Sequence, residues 1–232
     1  MFTIAIIGPD GAGKSTIIDR LTHSLPFPVR HLYMGINPDI LSHMLPTTRL
    51  ANFLKRRRKK REGIPTTDEM TAHLVAPEQR KRKGVRLFAG QVKSFLYITN
   101  RFMEAWYRQM VCWYYQKQGM VVLLDRHYYL DILSFDIAFP DEKRPFLHRM
   151  YGSLIKKTYP RPDMTILLDA PAEVLYARKG ESNIEALRKK RDAYLQVREH
   201  VSNYHAVDAT QSPERVLESV VGLIKSYRET MR

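Results

Sequence analysis

The chain has 232 residues, of which 44% are apolar and 27% charged, and its formal net charge is +14. This composition favours one globular α/β domain over residues 1–232 and excludes disordered and fibrous chains, while the lack of an 18-residue apolar run excludes a membrane-spanning helix. The opening MFTIAII is too short for a signal-peptide core and the single Cys112 cannot form an internal disulfide, so we expect a cytoplasmic protein.

Short apolar runs alternate with helical patterns along the chain. Residues 2–7 indicate a buried strand, Lys14 to Leu25 the helix after it, and residues 28–33 a second strand. Strands are also predicted at 120–125, 163–169 and 204–208, with helices that start near Pro171 and Pro213. Between Gln91 and Gln118 apolar residues recur every three or four positions, which predicts a long amphipathic helix with most of its aromatic residues in the core. The recurring residues are Phe95, Ile98, Phe102, Trp106, Met110 and Trp113.

Residues 37–90, between the second and third strands, have no clean period and predict an insertion of short helices and loops. Within it the basic runs at residues 55–61 and 80–86 give the stretch 55–86 a local charge of +8, and such a run of like charges does not pack in a core. Four interpretations stay open: a nucleic-acid surface, a surface for anionic membrane headgroups, the mouth of a site for a polyanionic acceptor, or a solvated insertion.

Continuous apolar strands that alternate with helices predict a doubly wound five-stranded parallel sheet, covered on both faces. Ligands of such sheets bind beyond the carboxyl ends of the strands. The chemically suggestive residues follow that rule, because a glycine loop, Asp125-Arg126, Asp169 and the stretch after Asp208 each follow directly on a strand.

The stretch GPDGAGKST, residues 8–16, matches G-x-x-x-x-G-K-[ST] between a strand and a helix. Its glycines let backbone N–H groups turn around phosphate oxygens, and the helix N-terminus adds partial positive charge. Lys14 is predicted to reach the β- and γ-phosphates of a nucleoside triphosphate, and Ser15 to ligate Mg²⁺. We therefore expect ATP and Mg²⁺.

Asp125 and Arg126 at the end of the third strand indicate which reaction the loop serves. No glutamate follows Asp125 to activate water, and no N-K-x-D tetrapeptide marks guanine specificity. Transfer to an acceptor other than water is favoured: Asp125 holds Mg²⁺ or takes the acceptor's proton, and Arg126 offsets charge on the transferred group. A surface ion pair at a strand end is the alternative. Asp131 is a further candidate, for an acceptor hydroxyl.

With these residues in hand, the chain resembles the thymidylate kinase family of P-loop nucleotide kinases. The similar segments are GPDGAGKST, ITNRFMEAW, DRHYYLDILSF, RPDMTILLDAPAEVLYARKGE and VDATQSPERV. The resemblance implies that Asp10 meets the acceptor's sugar, that Arg101 grips its phosphate, and that Ala209, Thr210 and Gln211 lie near adenine. The residues then expected to bind the triphosphate are Gly8, Asp10, Gly11, Ala12, Gly13, Lys14, Ser15, Thr16 and Ala209 to Gln211.

Three departures from the family pattern concern the acceptor side and the lid. The family's Arg-Glu-Pro-Gly turn after the second strand is replaced by HLYMGINPD, and residues 37–90 have no counterpart. The lid, about residues 178–192, is short. Because Gly11 fills the P-loop slot where one subtype carries an arginine, the catalytic arginine is expected from the lid, as Arg178 or Arg188. A solvated helix face is the alternative for Arg188 to Arg191.

The resulting expectation is a P-loop nucleoside monophosphate kinase fold that transfers the γ-phosphoryl of ATP to a nucleotide-like acceptor, with dTMP leading. Two other functions stay open: a P-loop kinase of a sugar, nucleoside or lipid-linked phosphate, and a nucleotide-switched protein that binds nucleic acid or a membrane surface. A homodimer is compatible with the sequence, which is otherwise silent on assembly.

Overall fold

The computed structural model describes residues 1–35, 44–50, 53–54, 57, 85–180 and 183–231, with the backbone alone for residues 85–91. Most of the insertion with its basic runs, and therefore the interpretations attached to them, lies outside these residues. Contacts divide the chain into two compact units. The sheet unit comprises Met1–Gly35, Cys112–Pro140 and Pro160–Arg232, and the helical unit draws on Ile36–Val111 and Asp141–Tyr159. The expected single domain stays a prediction.

The predicted sheet is confirmed: its five strands are all parallel, in the order β2-β3-β1-β4-β5. The central strands β1 and β3 are buried along their whole length, as expected of apolar strands covered on both faces. In chain order the strands are β1 (Thr3–Ile7), β2 (Val29–Tyr33), β3 (Val121–Asp125), β4 (Met164–Asp169) and β5 (Tyr204–Asp208). Each agrees with its predicted range within one residue at either end.

Helices alternate with the strands along the chain. They are α1 (Lys14–Ser24), α2 (Val85–Lys117), α3 (Tyr128–Ala138), α4 (Phe146–Thr158), α5 (Ala172–Lys179), α6 (Ile184–Gln196) and α7 (Pro213–Thr230). A 3₁₀ turn follows α6 at Val197–Glu199. In the described part of the chain, none of the helices is long and apolar enough to cross a membrane. The cytoplasmic location stays a prediction.

One apolar core holds α1 and α7 against the sheet. Ile18 of α1 and Val220 of α7 are fully buried with Ile4 and Ile166 of the central strands. At one end of this core the rings of Phe2 and Tyr227 meet edge to face at 5.0 Å. The core fixes where β1 ends and α1 begins, and the loop between them is the phosphate-binding candidate.

The long helix α2 is confirmed, and Ile98 is buried as predicted, but three of the six recurring apolar positions are exposed. It begins at Val85 instead of Gln91. Of the recurring apolar positions, Phe95 is 54% exposed, Met110 55% and Trp113 41%, whereas Glu104 and Arg108 are buried. The polar pair can be buried because its charges satisfy each other: Arg108 Nη2 lies 3.0 Å from Glu104 Oε1.

Candidate active site

The loop at the end of β1 can be formed only with glycine at two of its positions. Gly8 has φ 147° and Gly11 has φ 88°, values that disfavour any side chain. A Cβ atom on Gly8 would lie 2.7 Å from the carbonyl oxygen of Leu168, and one on Gly11 would lie 2.9 Å from that of Leu175. The loop therefore packs backbone to backbone against β4 and α5, and Gly13 caps the N-terminus of α1.

Lys14 lies inside this loop. Its ammonium group donates hydrogen bonds of 2.8 Å to the carbonyl oxygen of Gly8 and 2.9 Å to that of Pro9. Burial, together with the neighbouring charge of Arg126, lowers the pKa of Lys14 from 10.5 to about 8, against the opposing effect of Asp10 and Asp125. Lys14 is therefore a desolvated cation held by the backbone carbonyls of its own loop.

Asp125 and Arg126 occupy the adjacent strand end, beside β1. Asp125 is the last residue of β3 and is 4% exposed, and burial raises the pKa of its carboxyl group despite the charges of Lys14 and Arg126. Arg126 adopts φ 68°, an uncommon conformation for a residue other than glycine, and its N–H donates to the carbonyl oxygen of Ile6. Both side chains are largely buried, so the alternative of a solvated surface pair is wrong.

Arg126 is directed at the tip of the phosphate loop. Its Nη2 donates a hydrogen bond of 2.9 Å to Oδ1 of Asp10, in a pair whose side chains are 13% and 28% exposed. Burial alone would lower the pKa of Arg126, but the charges of Asp131 and Asp10 outweigh it and hold that pKa above its usual value. Burial likewise opposes the ionisation of Asp10. The pKa of Asp10 is nevertheless below normal, because of the positive charges of Arg126, Lys14, Lys190 and Lys179. Asp10 is thus an ionised carboxylate among cations.

The sequence analysis missed two residues of this cluster, Tyr194 and Tyr33, and included a third, Lys190, only as part of the run Arg188 to Arg191. Tyr194 of α6 is buried, and burial together with the charge of Asp131 raises its pKa. Tyr33, the last residue of β2, contributes to holding the pKa of Arg126 above its usual value. Lys190 reaches Asp10 from α6, with 4.0 Å between Nζ and Oδ2. Because Lys190 and Tyr194 are four positions apart, they share one face of α6, and this spacing was the available signal. Tyr33 carried no comparable signal.

The cations of the lid have separate partners. Arg188, a predicted catalytic residue, forms an exposed ion pair with Glu173, and Lys189 forms an exposed one with Glu185 at 3.3 Å. Arg191 binds Asp169 at the end of β4 through two hydrogen bonds of 2.7 and 2.8 Å. Arg178, the other predicted catalytic arginine, is an exposed residue in the last turn of α5. Their catalytic roles stay predictions.

The loop after β5, predicted to lie near adenine, is held by its own side chains. Asp208 Oδ1 accepts from the backbone N–H and the hydroxyl of Thr210 at 2.9 and 2.6 Å, and these bonds lower the pKa of Asp208. Gln211 donates to the other carboxylate oxygen, and the N–H of Ala209 donates to the carbonyl oxygen of Asp169 at 2.7 Å. The loop is thereby fixed at the same edge of the sheet as the phosphate loop, because the strands are parallel.

Arg101, the predicted acceptor-phosphate ligand, belongs to the helical unit. Its guanidinium group lies 5.4 Å from the centroid of the Tyr151 ring. One helical turn along, Glu104 accepts hydrogen bonds from the N–H of Leu45 at 3.0 Å and from the hydroxyl of Thr48 at 2.8 Å. The helix that carries Arg101 is thus tied to the chain that follows residue 43.

The donor set fits Mg²⁺ bound together with a nucleotide. Among the residues that the structure describes, no group of three histidine, cysteine or carboxylate side chains could hold a metal alone. The exposed Ser15 at the start of α1 and Asp125 at the end of β3 offer hard oxygen ligands. Mg²⁺ commonly binds through one or two such groups plus phosphate oxygens and water.

Three of the known proteins that are similar to this chain are named as thymidylate kinases or probable thymidylate kinases. The chain is 29% identical to a probable thymidylate kinase of Pyrobaculum aerophilum and 25% identical to a thymidylate kinase of Oenococcus oeni; each alignment covers 97% of this chain, and 97% and 95% of the respective relative. It is 30% identical to probable thymidylate kinase 1 of Saccharolobus solfataricus over 115 residues, 47% of this chain and 57% of that protein. The aligned region thus spans little more than half of this last relative. No family model matches the chain.

Proposed function

We propose, on the premise that this chain belongs to a thymidylate kinase-like family, that it is an ATP-dependent phosphotransferase. It transfers the γ-phosphoryl group to a nucleoside monophosphate, with dTMP the leading acceptor. The observation that carries this proposal is the pair of Arg126 with Asp10, 2.9 Å apart on a phosphate loop whose lysine is buried. A carboxylate at that position suits an acceptor hydroxyl, and a desolvated arginine suits the charge that develops during transfer.

The reaction breaks the bond between the γ-phosphorus and its bridging oxygen and forms one to an acceptor oxygen. Lys14 binds the phosphate oxygens, and Arg126 compensates charge on the transferred group. Mg²⁺, when held by Ser15 and Asp125, neutralises charge on the phosphate oxygens. Burial of Lys14, Asp125 and Arg126 lowers the local dielectric constant and so strengthens each of these electrostatic interactions.

An ATP-dependent kinase of another acceptor is the second candidate, favoured by the end of β2. There Tyr33, Met34 and Gly35 stand in place of the turn that shapes the acceptor pocket in the family. The Tyr33 ring folds over Gly35 so closely that a Cβ on Gly35 would lie 2.2 Å from the phenol oxygen. A phenol in place of a charged turn changes what the acceptor meets, whereas the phosphate loop is complete.

The deciding experiment measures ADP formation from ATP and Mg²⁺ against a panel of acceptors: dTMP, other nucleoside monophosphates, thymidine, a sugar and a lipid-linked phosphate. The proposal expects one acceptor to stimulate ADP formation far above water, and dTMP to lead. Lys14→Met should abolish turnover, whereas Lys225→Met, an exposed lysine on α7, should retain it. Activity retained by Lys14→Met contradicts the mechanism.

The nucleotide-switched surface-binding alternative predicts a different result from the same protein. It expects salt-dependent binding to nucleic acid or anionic vesicles, with no acceptor that increases ATP use. The homodimer and the cytoplasmic location have no bearing on this assay and stay predictions.

A further inference from the structure

Four consecutive cations of α6, Arg188 to Arg191, have four different carboxylate partners. Arg188 pairs with Glu173 of α5, Lys189 with Glu185 of its own helix, and Arg191 with Asp169 of β4. Lys190 alone of the four is paired with the phosphate loop, through Asp10. Successive helical residues point about 100° apart, so such a run divides among several neighbours.

Lys190 is also the more enclosed of the two lysines. Its side chain is 24% exposed, whereas that of Lys189 is 55% exposed. The Asp10 carboxylate has Arg126 Nη2 at 2.9 Å from one oxygen and Lys190 Nζ at 4.0 Å from the other. Two cations, one from the end of β3 and one from α6, therefore flank the carboxylate at the loop tip.

We infer that Lys190, and neither Arg188 nor Arg178, is the lid cation that contacts the γ-phosphoryl group and stabilises its transfer. The inference rests on the proposed function, which sets transfer between the phosphate loop and an acceptor at Asp10. At 4.0 Å from the carboxylate, the ammonium group is in a loose ion pair, and its flexible four-carbon stem lets it shift onto a phosphoryl oxygen. Negative charge that develops on the oxygens of the phosphoryl group during transfer strengthens their interaction with the Lys190 ammonium group.

The first test compares kcat for Lys190→Met, Lys190→Arg and Lys189→Met at saturating ATP and acceptor. Loss of one transition-state donor lowers kcat by roughly 10²- to 10³-fold, so this loss is expected for Lys190→Met. Lys190→Arg should recover most of it, and Lys189→Met, one position away in an exposed pair, should stay near wild type. Equal kcat values for Lys190→Met and Lys189→Met overturn the inference while the proposed function stands.

A second test needs no turnover. Calorimetry gives the Kd for ADP and the Kd for a non-hydrolysable ATP analogue. The Kd for ADP divided by the Kd for the analogue reports how much contacts with the γ-phosphate add to binding. Lys190→Met should reduce this ratio by about tenfold, the value of one charge-assisted hydrogen bond, with little change in Kd for ADP. If wild type transfers to no acceptor, the proposed function fails, and this ratio still decides the role of Lys190: an unchanged ratio overturns it.

Asp10→Asn separates a direct contact from an indirect one. If Lys190 only neutralises Asp10, Lys190→Met has no further effect on the Kd ratio once Asp10 is uncharged, and the inference is overturned. If Lys190 contacts the γ-phosphate, the loss persists in the Asp10→Asn background. A double-mutant cycle on these two positions measures the difference directly.

Discussion

Replacing Lys14 by methionine should change how the free energy of unfolding depends on pH. The folded-state pKa of Lys14 is about 8, against 10.5 for an ordinary lysine, and burial is the main cause. The difference of about 2.5 pKa units corresponds to roughly 3 kcal/mol at 1.36 kcal/mol per unit. Below pH 8 the folded protein bears this cost in full, because Lys14 is protonated in both states.

The sign follows from proton binding. Between pH 8 and 10.5 the unfolded chain keeps the Lys14 proton while the folded chain loses it, and stability rises with pH wherever the unfolded state binds more protons. The free energy of unfolding of the wild type should therefore rise by roughly 3 kcal/mol relative to that of Lys14→Met across this window. The difference in free energy of unfolding between the two proteins is the quantity to follow, since Asp10 and Asp125, whose pKa values Lys14 shifts, titrate well below this window.

Urea unfolding of wild type, Lys14→Met and Lys225→Met at pH 7, 8, 9 and 10 measures this difference. The difference in free energy of unfolding between wild type and Lys14→Met should change steadily above pH 8. The corresponding difference for Lys225→Met, at an exposed residue of α7, should not depend on pH. A constant gap for Lys14→Met would refute the argument, because the lysine would then not be a desolvated cation held on the carbonyls of Gly8 and Pro9.

The remaining predictions concern the loop, the buried ion pair and a helix cap. Gly8→Ala puts a methyl group 2.7 Å from a backbone carbonyl of β4 and should cost about 1–3 kcal/mol, whereas Gly222→Ala, in open space on α7, should stabilise by about 0.5–1 kcal/mol; equal effects in urea unfolding contradict the loop geometry. Glu104→Ala removes the carboxylate that pairs with the buried Arg108 and should cost about 3–5 kcal/mol, against less than about 1 kcal/mol for Glu185→Ala in an exposed pair, and similar costs would exclude a buried network. Ser212→Ala removes the N-cap of α7 and should lower stability by about 1 kcal/mol, with Ser212→Thr close to wild type; no loss would show that the cap contributes nothing.

The sheet and the phosphate loop were predictable because their signals are local. A parallel strand buried on both faces is a continuous apolar run, which is how residues 2–7, 120–125 and 163–169 read. The phosphate loop is formed by backbone conformation, and the glycines that permit it are contiguous in the sequence. The helix α3 has seven buried residues among its eleven and therefore no polar face to reveal a period, so it was not predicted.

The polar part of the buried face of α2 could not be predicted, because it depends on partners distant in sequence. A periodic pattern assigns Glu104 to solvent and Met110 to the core, yet Glu104 is buried and Met110 is exposed. Glu104 is neutralised by Arg108 and accepts hydrogen bonds from Leu45 and Thr48, which lie more than 50 positions earlier. Hydrogen bonds and a paired charge remove the cost that normally excludes a carboxylate from the interior.

The same distinction separates the two halves of the candidate site. The phosphate loop is one contiguous stretch of sequence, so a motif is enough to identify it. The cluster at its tip is assembled from side chains of four segments: Tyr33 at the end of β2, Asp10 on the loop, Arg126 after β3 and Tyr194 on α6. No spacing rule links these four residues, and three of them lie outside the phosphate loop, so they can change while the loop motif stays the same. If the acceptor binds at this cluster as proposed, the loop motif does not determine the acceptor, which is why the acceptor panel tests more than the family resemblance does.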